Sequence, residues 1–302
     1  MGSRMVGPVN ATTETITSAA TAQANLPCPN LVTGICTQRV HEAMGRMLAG
    51  QDKGPYRGGL FPSGKYPSFE EGRGAQYVSE YLPLHLPQLE YGLEMAYRSL
   101  QGTLSAGRAI RLLDIGSGPA SVALALERLT AMGKINAQFQ VQPLEQSAEF
   151  CGMLREAADP LGSGAVKLMP PFQMDMERYL DEKATTPLDS FDWIVMANVL
   201  SPLAQGRTVE EYCARIQRLL EQHRTPTGYP ALTVIEGSCC KYVLPHTYMK
   251  GLTAQLKVLC NIGLDWSVPL DRPDILNCTY YKTGTGGCKP RIMMITVRKE
   301  AQ

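Results

Sequence analysis

This 302-residue sequence contains no uninterrupted apolar run of about 18 residues, the length a spanning helix needs, so no membrane span is expected. Its N-terminus, MGSRMVGPVNATTETITSAATAQA, lacks the apolar stretch of a secretory signal, and Val6 stands where a myristoylation signal wants Ser or Thr. Met5 is a second candidate start. An excess of charge is also missing: 29 Lys and Arg face 28 Asp and Glu, a net of +1, which removes any global attraction to nucleic acid or anionic membrane. A local basic patch stays open. None of the nine cysteines forms a C-x-x-C pair, which argues against a zinc or iron–sulfur site and sets the metal expectation at none. Convergence of Cys28, Cys36, Cys278 and Cys288 is the one metal arrangement left open. The odd, scattered cysteines read as reduced thiols of a cytoplasmic protein. The two glycosylation patterns, at Asn10 and Asn277, read as chance without an export signal.

With 44% hydrophobic and 19% charged residues, the chain can bury a real core. Residues 1–26 are rich in Thr, Ala and Ser and read as a mobile tail. A short amphipathic helix is predicted over 37–49, with Thr37 as N-cap and Gly50 as stop. Residues 50–74 (many Gly and Pro, several aromatics) are too long for an ordinary connection and read as a lid-like loop. Helices are predicted near 75–82 and 87–101, the second with Pro87 in its first turn. From residue 109 the pattern alternates. Strands are expected at 109–115, 137–144, 165–169, 191–198 and 231–237, and helices near 120–132, 147–158, 176–182, 208–223 and 246–262. Alternation of this kind means a doubly wound, mostly parallel sheet. LDWSVPL (264–270) and PRIMMITVRK (290–299) follow without a helix between them and suggest an antiparallel closing pair.

RLLDIGSGPASVALAL, residues 111–126, is the most specific stretch. A strand runs into Asp114, then Gly116-Ser117-Gly118, then a helix. In an open parallel sheet such a turn faces the ligand at the carboxyl ends of the strands. Glycines at 116 and 118 remove side chains, so the backbone can approach a ligand closely. A dinucleotide fingerprint wants a third glycine at 121, where this chain has Ser121. Asp114 inside the turn suits a positively charged ligand better than a pyrophosphate.

DIGSGPA resembles the first motif of the class I S-adenosylmethionine-dependent methyltransferases, and the resemblance extends over roughly residues 109–299. It implies an α/β fold: a doubly wound, seven-stranded, mostly parallel sheet with an antiparallel last strand, plus a helical N-terminal extension. The domains would be 1–108, covering the active site, and 109–302, binding S-adenosyl-L-methionine. Asp114, Gly116, Ser117 and Gly118 would wrap the amino-acid portion of the cofactor. Glu145 and Gln146, ending the second strand, would meet the ribose, although Glu145 also reads as an exposed helix-start carboxylate. Asp175 and Met176 would meet the adenine, although Asp175 also reads as an N-cap. Asn198 and Val199, after the fourth strand, would line the donor cleft.

Base candidates are harder to rank, because the donor is already activated. His85, His246 and Tyr81 are the catalytic candidates, and each also reads as a packed or surface side chain. Tyr77 and Tyr81, four apart on one helical face, fit an acceptor pocket or plain core packing. Glu236 reaches the cleft or caps a loop. The fourth strand ends Ala-Asn-Val-Leu, which is not the Asn/Asp-Pro-Pro-Tyr/Phe pattern of enzymes that methylate exocyclic base nitrogens. A small organic acceptor is therefore expected, with no membrane partner, no nucleic-acid substrate, and a homodimer left open. The alternatives are a ribosome-associated RNA methyltransferase-like protein and a non-catalytic scaffold. YLPLHLPQLEYGLEMAYRSL and VLSPL faintly resemble the former family, but its cysteine-rich metal motif is missing here. Lys282, Lys289, Arg291, Arg298 and Lys299 would be its RNA-contacting surface.

Overall fold

The computed structural model describes residues 38–49, 74–78, 82–104, 107–162, 164–183, 190–200, 203, 206–225, 228–238, 244–262 and 291–300. Eight strands form one sheet: β1 (Ile110–Ile115), β2 (Phe139–Glu145), β3 (Val166–Leu168), β4 (Phe172–Gln173), β5 (Trp193–Ala197), β6 (Ala231–Ser238), β7 (Lys257–Ile262) and β8 (Arg291–Arg298). Their order is β3-β2-β1-β5-β6-β8-β7, with β4 also paired to β2. Every pairing is parallel except those of β8, which runs antiparallel to both β6 and β7. This is the mostly parallel sheet with an antiparallel last strand that the sequence implied.

The described helices are α1 (Gln38–Leu48), α2 (Gly74–Gln76), α3 (Leu82–Leu100), α4 (Ser121–Ala131), α5 (Ala148–Gly162), α6 (Met176–Lys183), α7 (Val209–Gln222) and α8 (Leu244–Gln255). They cover both faces of the sheet, because strand side chains alternate. Leu112, Val141, Trp193, Val195 and Ile235 point into one core with residues of α1, α3, α4 and α5. Leu113, Ile115, Ile194, Met196 and Val234 point into the other with α6, α7 and α8. By the same alternation Asp114 lies on the first face, the side of the N-terminal helices. Inside the sheet, Trp193 Nε1 donates to Thr233 Oγ1 at 2.9 Å and Thr233 meets Thr296 Oγ1 at 3.0 Å, so the buried polar atoms of β5, β6 and β8 satisfy one another.

The N-terminal helices belong to that first core rather than sitting apart from it. Val40, Met44, Leu86, Leu89 and Leu93 are fully or almost fully buried there. Arg128 of α4, with no exposed surface, pairs with buried Glu90 of α3. Arg39 of α1 reaches Glu127 of α4 at 2.9 Å.

Several boundaries differ from the sequence expectations. The third strand is broken into β3 and β4, giving eight strands instead of seven. Pro170 and Pro171 stand in the gap and have no N–H to give the ladder. The helix expected over 246–262 ends at Gln255, and 257–262 form β7, the edge strand beside β8. The β-branched and apolar residues of KVLCNI suit that edge. The strand expected at 264–270 lies outside the described residues. α3 starts at Leu82, so Pro87 sits inside the helix and not in its first turn, at the loss of one backbone hydrogen bond. α7 begins with a complete capping box: in T-V-E-E, Thr208 Oγ1 accepts from Glu211 N–H while Glu211 accepts from Thr208 N–H. Thr37, Gly50, the tail and the lid-like loop lie outside the described residues.

Candidate functional site

β1 ends at Ile115, and the chain turns through three left-handed residues, Gly116 (φ 68°), Gly118 (φ 53°) and Ala120 (φ 61°), before α4 begins. Glycine adopts that region freely, while an alanine there costs about 1–2 kcal/mol. Ala120 carried no signal in the sequence.

The two glycines turn out to serve different purposes. A Cβ on Gly116 would stand 2.3 Å from Val199 Cγ1, so its missing side chain makes room for the chain after β5. The missing Cβ at Gly116 thus has a packing reason besides the backbone approach expected from the sequence. A Cβ on Gly118 would find nothing nearer than Ser121 Oγ at 3.9 Å, so open space lies there.

Glu145, ending β2, fastens the turn. Its Oε2 accepts Gly118 N–H at 2.9 Å and its Oε1 accepts Ser147 N–H at 2.8 Å. It is 7% exposed, which overturns the alternative of an exposed helix-start carboxylate. Burial raises its pKa, against the pull of those backbone donors. Gln146, next to it, is exposed.

Asp114 is the unusual member. It is 1% exposed, and neither carboxylate oxygen has a hydrogen-bond partner among the described residues. Burial pushes its pKa up to about 7, with Glu145 adding to the rise and Ser117 opposing it. Ser117 is buried and donates its hydroxyl to the Asp114 carbonyl at 2.8 Å. An orphaned carboxylate in the interior is costly, and such groups concentrate where a ligand supplies the missing partner.

Tyr77 and His85 meet each other on the N-terminal side of the fold. The backbone widens into π-type turns at Tyr77 and Val78. The Tyr77 ring packs edge-on against Phe150 of α5, centroids 5.6 Å apart, and its hydroxyl lies 3.2 Å from His85 Nδ1. Burial raises the Tyr77 hydroxyl to about 12; Ser121 hydrogen-bonds it, and the fields of Glu145 and Asp114 both reach it. Burial lowers His85 to about 4, so its ring is neutral at pH 7. Gly74 N–H is held by Glu149 Oε1 at 2.7 Å, which anchors this segment to α5. The pairing of residues 77 and 85 follows no helical spacing, so the sequence could not show it. Tyr81 lies outside the described residues.

Beyond β5, Asn198 is left-handed (φ 57°) and its N–H bonds Ile235 O at 2.8 Å. Val199 fills the space over Gly116. Glu236, near the end of β6, is buried and accepts Leu200 N–H at 2.5 Å, so it caps the loop after β5. Burial raises it to about 8, opposed by the Leu200 and Val199 N–H groups. A carboxyl whose folded pKa lies above its unfolded value binds its proton more tightly in the fold. Its contribution is therefore full below the ordinary 4.5 and is lost as pH climbs through about 8. Glu236→Gln keeps a carbonyl for Leu200 and is expected to flatten the decline in melting temperature between pH 6 and 9, read by calorimetric scans. Glu236→Ala strands the two N–H groups and should cost about 1–3 kcal/mol.

Asp175 is exposed, and its Oδ1 caps α6 by accepting Arg178 N–H at 2.8 Å. Met176 is 6% exposed and packs in the second core. His246 is buried on the first turns of α8. Of the basic cluster, Lys282 and Lys289 lie outside the described residues. Arg298 donates to Tyr229 O at 3.1 Å and Lys299 pairs with Glu221, so both are engaged within the fold. They sit at the opposite end of the sheet from the glycine turn, since Arg298 pairs with Ala231 at the start of β6. Among the described residues no group of three His, Cys, Asp or Glu is placed to hold a metal ion, and no helix is long and apolar enough to cross a membrane.

No family model and no curated protein matches this sequence. Solved structures do share features of the fold. WbdD, crystallised with a kinase inhibitor, matches with a TM-score of 0.40 and 15% identity over 72% of this chain and 40% of its own. A SAM-dependent methyltransferase of Agrobacterium tumefaciens matches with a TM-score of 0.40 and 12% identity over 72% of this chain and 63% of its own. A SAM-dependent methyltransferase of Leishmania major matches with a TM-score of 0.41 and 13% identity over 86% of this chain and 83% of its own. The chain spans less than two thirds of the first two, and at these identities the reaction has to be argued from the site itself.

Proposed function

We propose that this chain is a class I S-adenosyl-L-methionine-dependent methyltransferase that methylates a small organic acceptor and releases S-adenosylhomocysteine. The observation that carries the reading is Asp114: a buried carboxylate with both oxygens unpartnered among the described residues, at the tip of β1 beside a left-handed turn. A ligand ammonium group fits that deficit. α4 begins directly after the turn, and its N-cap residue Ala120 supplies no side-chain hydrogen bond, so the first turn is suited to a ligand carboxylate. Together the two features fit the two ends of an amino-acid moiety, which a dinucleotide lacks. Glu145 accepts from backbone N–H groups of the turn and of the start of α5, and its remaining lone pairs would serve the ribose hydroxyls. Asp175 keeps its second oxygen for the adenine side.

The cofactor would supply an activated methyl group on its sulfur. The protein then has to align the acceptor and exclude water. Asp114, Gly118 and Glu145 fix the donor side. Asn198 and Val199, held in place by Glu236 and Gly116, shape the wall after β5. The near-zero net charge and the N-terminal helices packed on the Asp114 face support a small acceptor over a nucleic acid. His246 and Tyr81 remain the candidates for taking a proton from it. The scattered, odd-numbered cysteines support a cytoplasmic location.

Isothermal calorimetry with S-adenosylhomocysteine tests the reading: saturable one-to-one binding is expected. A titration with no binding up to millimolar ligand would sink it and leave the scaffold alternative.

A further inference from the structure

We propose that the end of the sheet opposite the glycine turn carries a second binding site, for a small molecule bearing a phosphate group, with Arg298 as its main contact. Such a site stands whether or not the glycine turn holds S-adenosylmethionine.

β7 and β8 run antiparallel and place Lys257 directly opposite Arg298. Like charges so paired repel one another. Lys257 is balanced by Glu300, 2.8 Å away. Arg298 has no carboxylate partner among the described residues. Its Nε donates to Tyr229 O at 3.1 Å, and its two terminal nitrogens donate to none of the described residues. Lys257, Arg298, Lys299 and Glu300 line one cavity of about 510 Å³, with Tyr229 and Leu259 among its other walls. Three cations therefore face one carboxylate in a chain whose net charge is only +1. Lys299 pairs with Glu221, which is not part of the wall and whose side chain is 57% exposed. Exposed ion pairs contribute little, so both lysines can turn to a ligand at small cost.

The guanidinium is held in place for such a ligand. Tyr229 O fixes its Nε, and Gly228 (φ 130°) makes room beside it, since a Cβ there would stand 3.3 Å from Arg298 Nη2. Gly228 is itself fixed by two backbone hydrogen bonds with Thr225, at 2.8 and 3.1 Å. A guanidinium whose Nε is occupied keeps the edge formed by Nη1 and Nη2, a fork that grips two oxygens of a phosphate. Lys257 and Lys299 supply point charges for the second negative charge. The cavity is large enough for more than a bare ion, and Leu259 and the Tyr229 ring offer apolar surface to the rest of the molecule.

Calorimetry on the full chain with phenyl phosphate, a dianion on an apolar ring, tests the site. Saturable one-to-one binding with a Kd below about 1 mM is expected. Benzoate, with the same ring and a single charge, should bind about fivefold more weakly or worse. Arg298→Gln keeps an amide that can donate to Tyr229 O and should lose about tenfold in affinity. Lys257→Gln, at an exposed position, should lose about threefold. Glu300→Gln removes the acidic wall and should gain about threefold, which the loss of a merely structural contact would not produce. Lys134→Gln, which removes an equal charge outside the cavity, should leave binding unchanged. No binding of phenyl phosphate up to about 10 mM would overturn the proposal. An equal loss in Lys134→Gln would do the same by showing diffuse attraction. Benzoate binding as tightly as phenyl phosphate would assign the cavity to carboxylates. Displacement of phenyl phosphate by S-adenosylhomocysteine would place the probe at the glycine turn instead; either result refutes the phosphate site.

Discussion

Asp114→Asn is expected to stabilise the protein at pH 8 and, in the same sample, to weaken S-adenosylhomocysteine binding at least a hundredfold. The two effects have one cause. At pH 8 the Asp114 carboxyl, with its pKa pushed up to about 7 by burial against a partial opposing pull from Ser117, is mostly ionised in a place where it is poorly solvated. Because the folded value lies above the ordinary 3.8, the folded state favours the protonated form; its stabilising contribution is complete below that ordinary value and is lost as pH rises through about 7. An amide of the same shape has no charge to desolvate, so the variant should melt higher than the wild type at pH 8. The difference should vanish near pH 4. For the ligand the sign reverses. An ammonium group favours the ionised carboxylate, so wild-type affinity should rise with pH through about 7, with proton release on binding between pH 5 and 7. Titrations in buffers of differing ionisation enthalpy measure that release. A variant that melts lower at pH 8 and still binds would refute the placement of Asp114. A site that strains the fold in order to hold its ligand is a familiar compromise between stability and function.

Among the described glycines, Gly116→Ala should be the most damaging added methyl group, because it combines a positive φ with a close contact. Its φ of 68° strains any residue with a Cβ, and that Cβ would lie 2.3 Å from Val199 Cγ1. The strain is about 1–2 kcal/mol and the overpacking about 1–3 kcal/mol. A loss of that combined size lowers the melting temperature by roughly 5–15 °C. Gly118→Ala has the strained backbone (φ 53°) but open space, so it should lose only the first part. Adding Val199→Ala to Gly116→Ala should recover the steric part, and the double-mutant cycle isolates the contact. If both alanine variants melt alike, the packing of Val199 on the turn is not what Gly116 is for.

The strand–Asp–Gly-x-Gly–helix stretch was legible because its three signals are local: an apolar run, two glycines and a helix-period pattern. The strands of the sheet core were legible for the same reason. Pro170 and Pro171 could have warned that the third strand breaks, since proline cannot serve a ladder. KVLCNI was absorbed into the preceding helix because six apolar and polar residues without a turn signal have no period of their own; pairing with β8 made them a strand. The purpose of Gly116 was invisible, because the atom that needs its missing side chain belongs to Val199, 83 positions away on another strand's end. The Tyr77–His85 pair and the isolation of Asp114 were invisible too, for they depend on what comes near and what does not.

The sequence by itself determined the alternating α/β order, the place of the turn and the presence of an acidic residue within it, since each of these is written in neighbouring residues. The tertiary structure decided what those residues are for. Burial turned Asp114 from an ordinary carboxylate into an unpartnered one, and packing turned Glu236 into a loop cap and Gly116 into a socket for Val199. Desolvation and close contact are properties of the assembled space around an atom, and no window of sequence contains them.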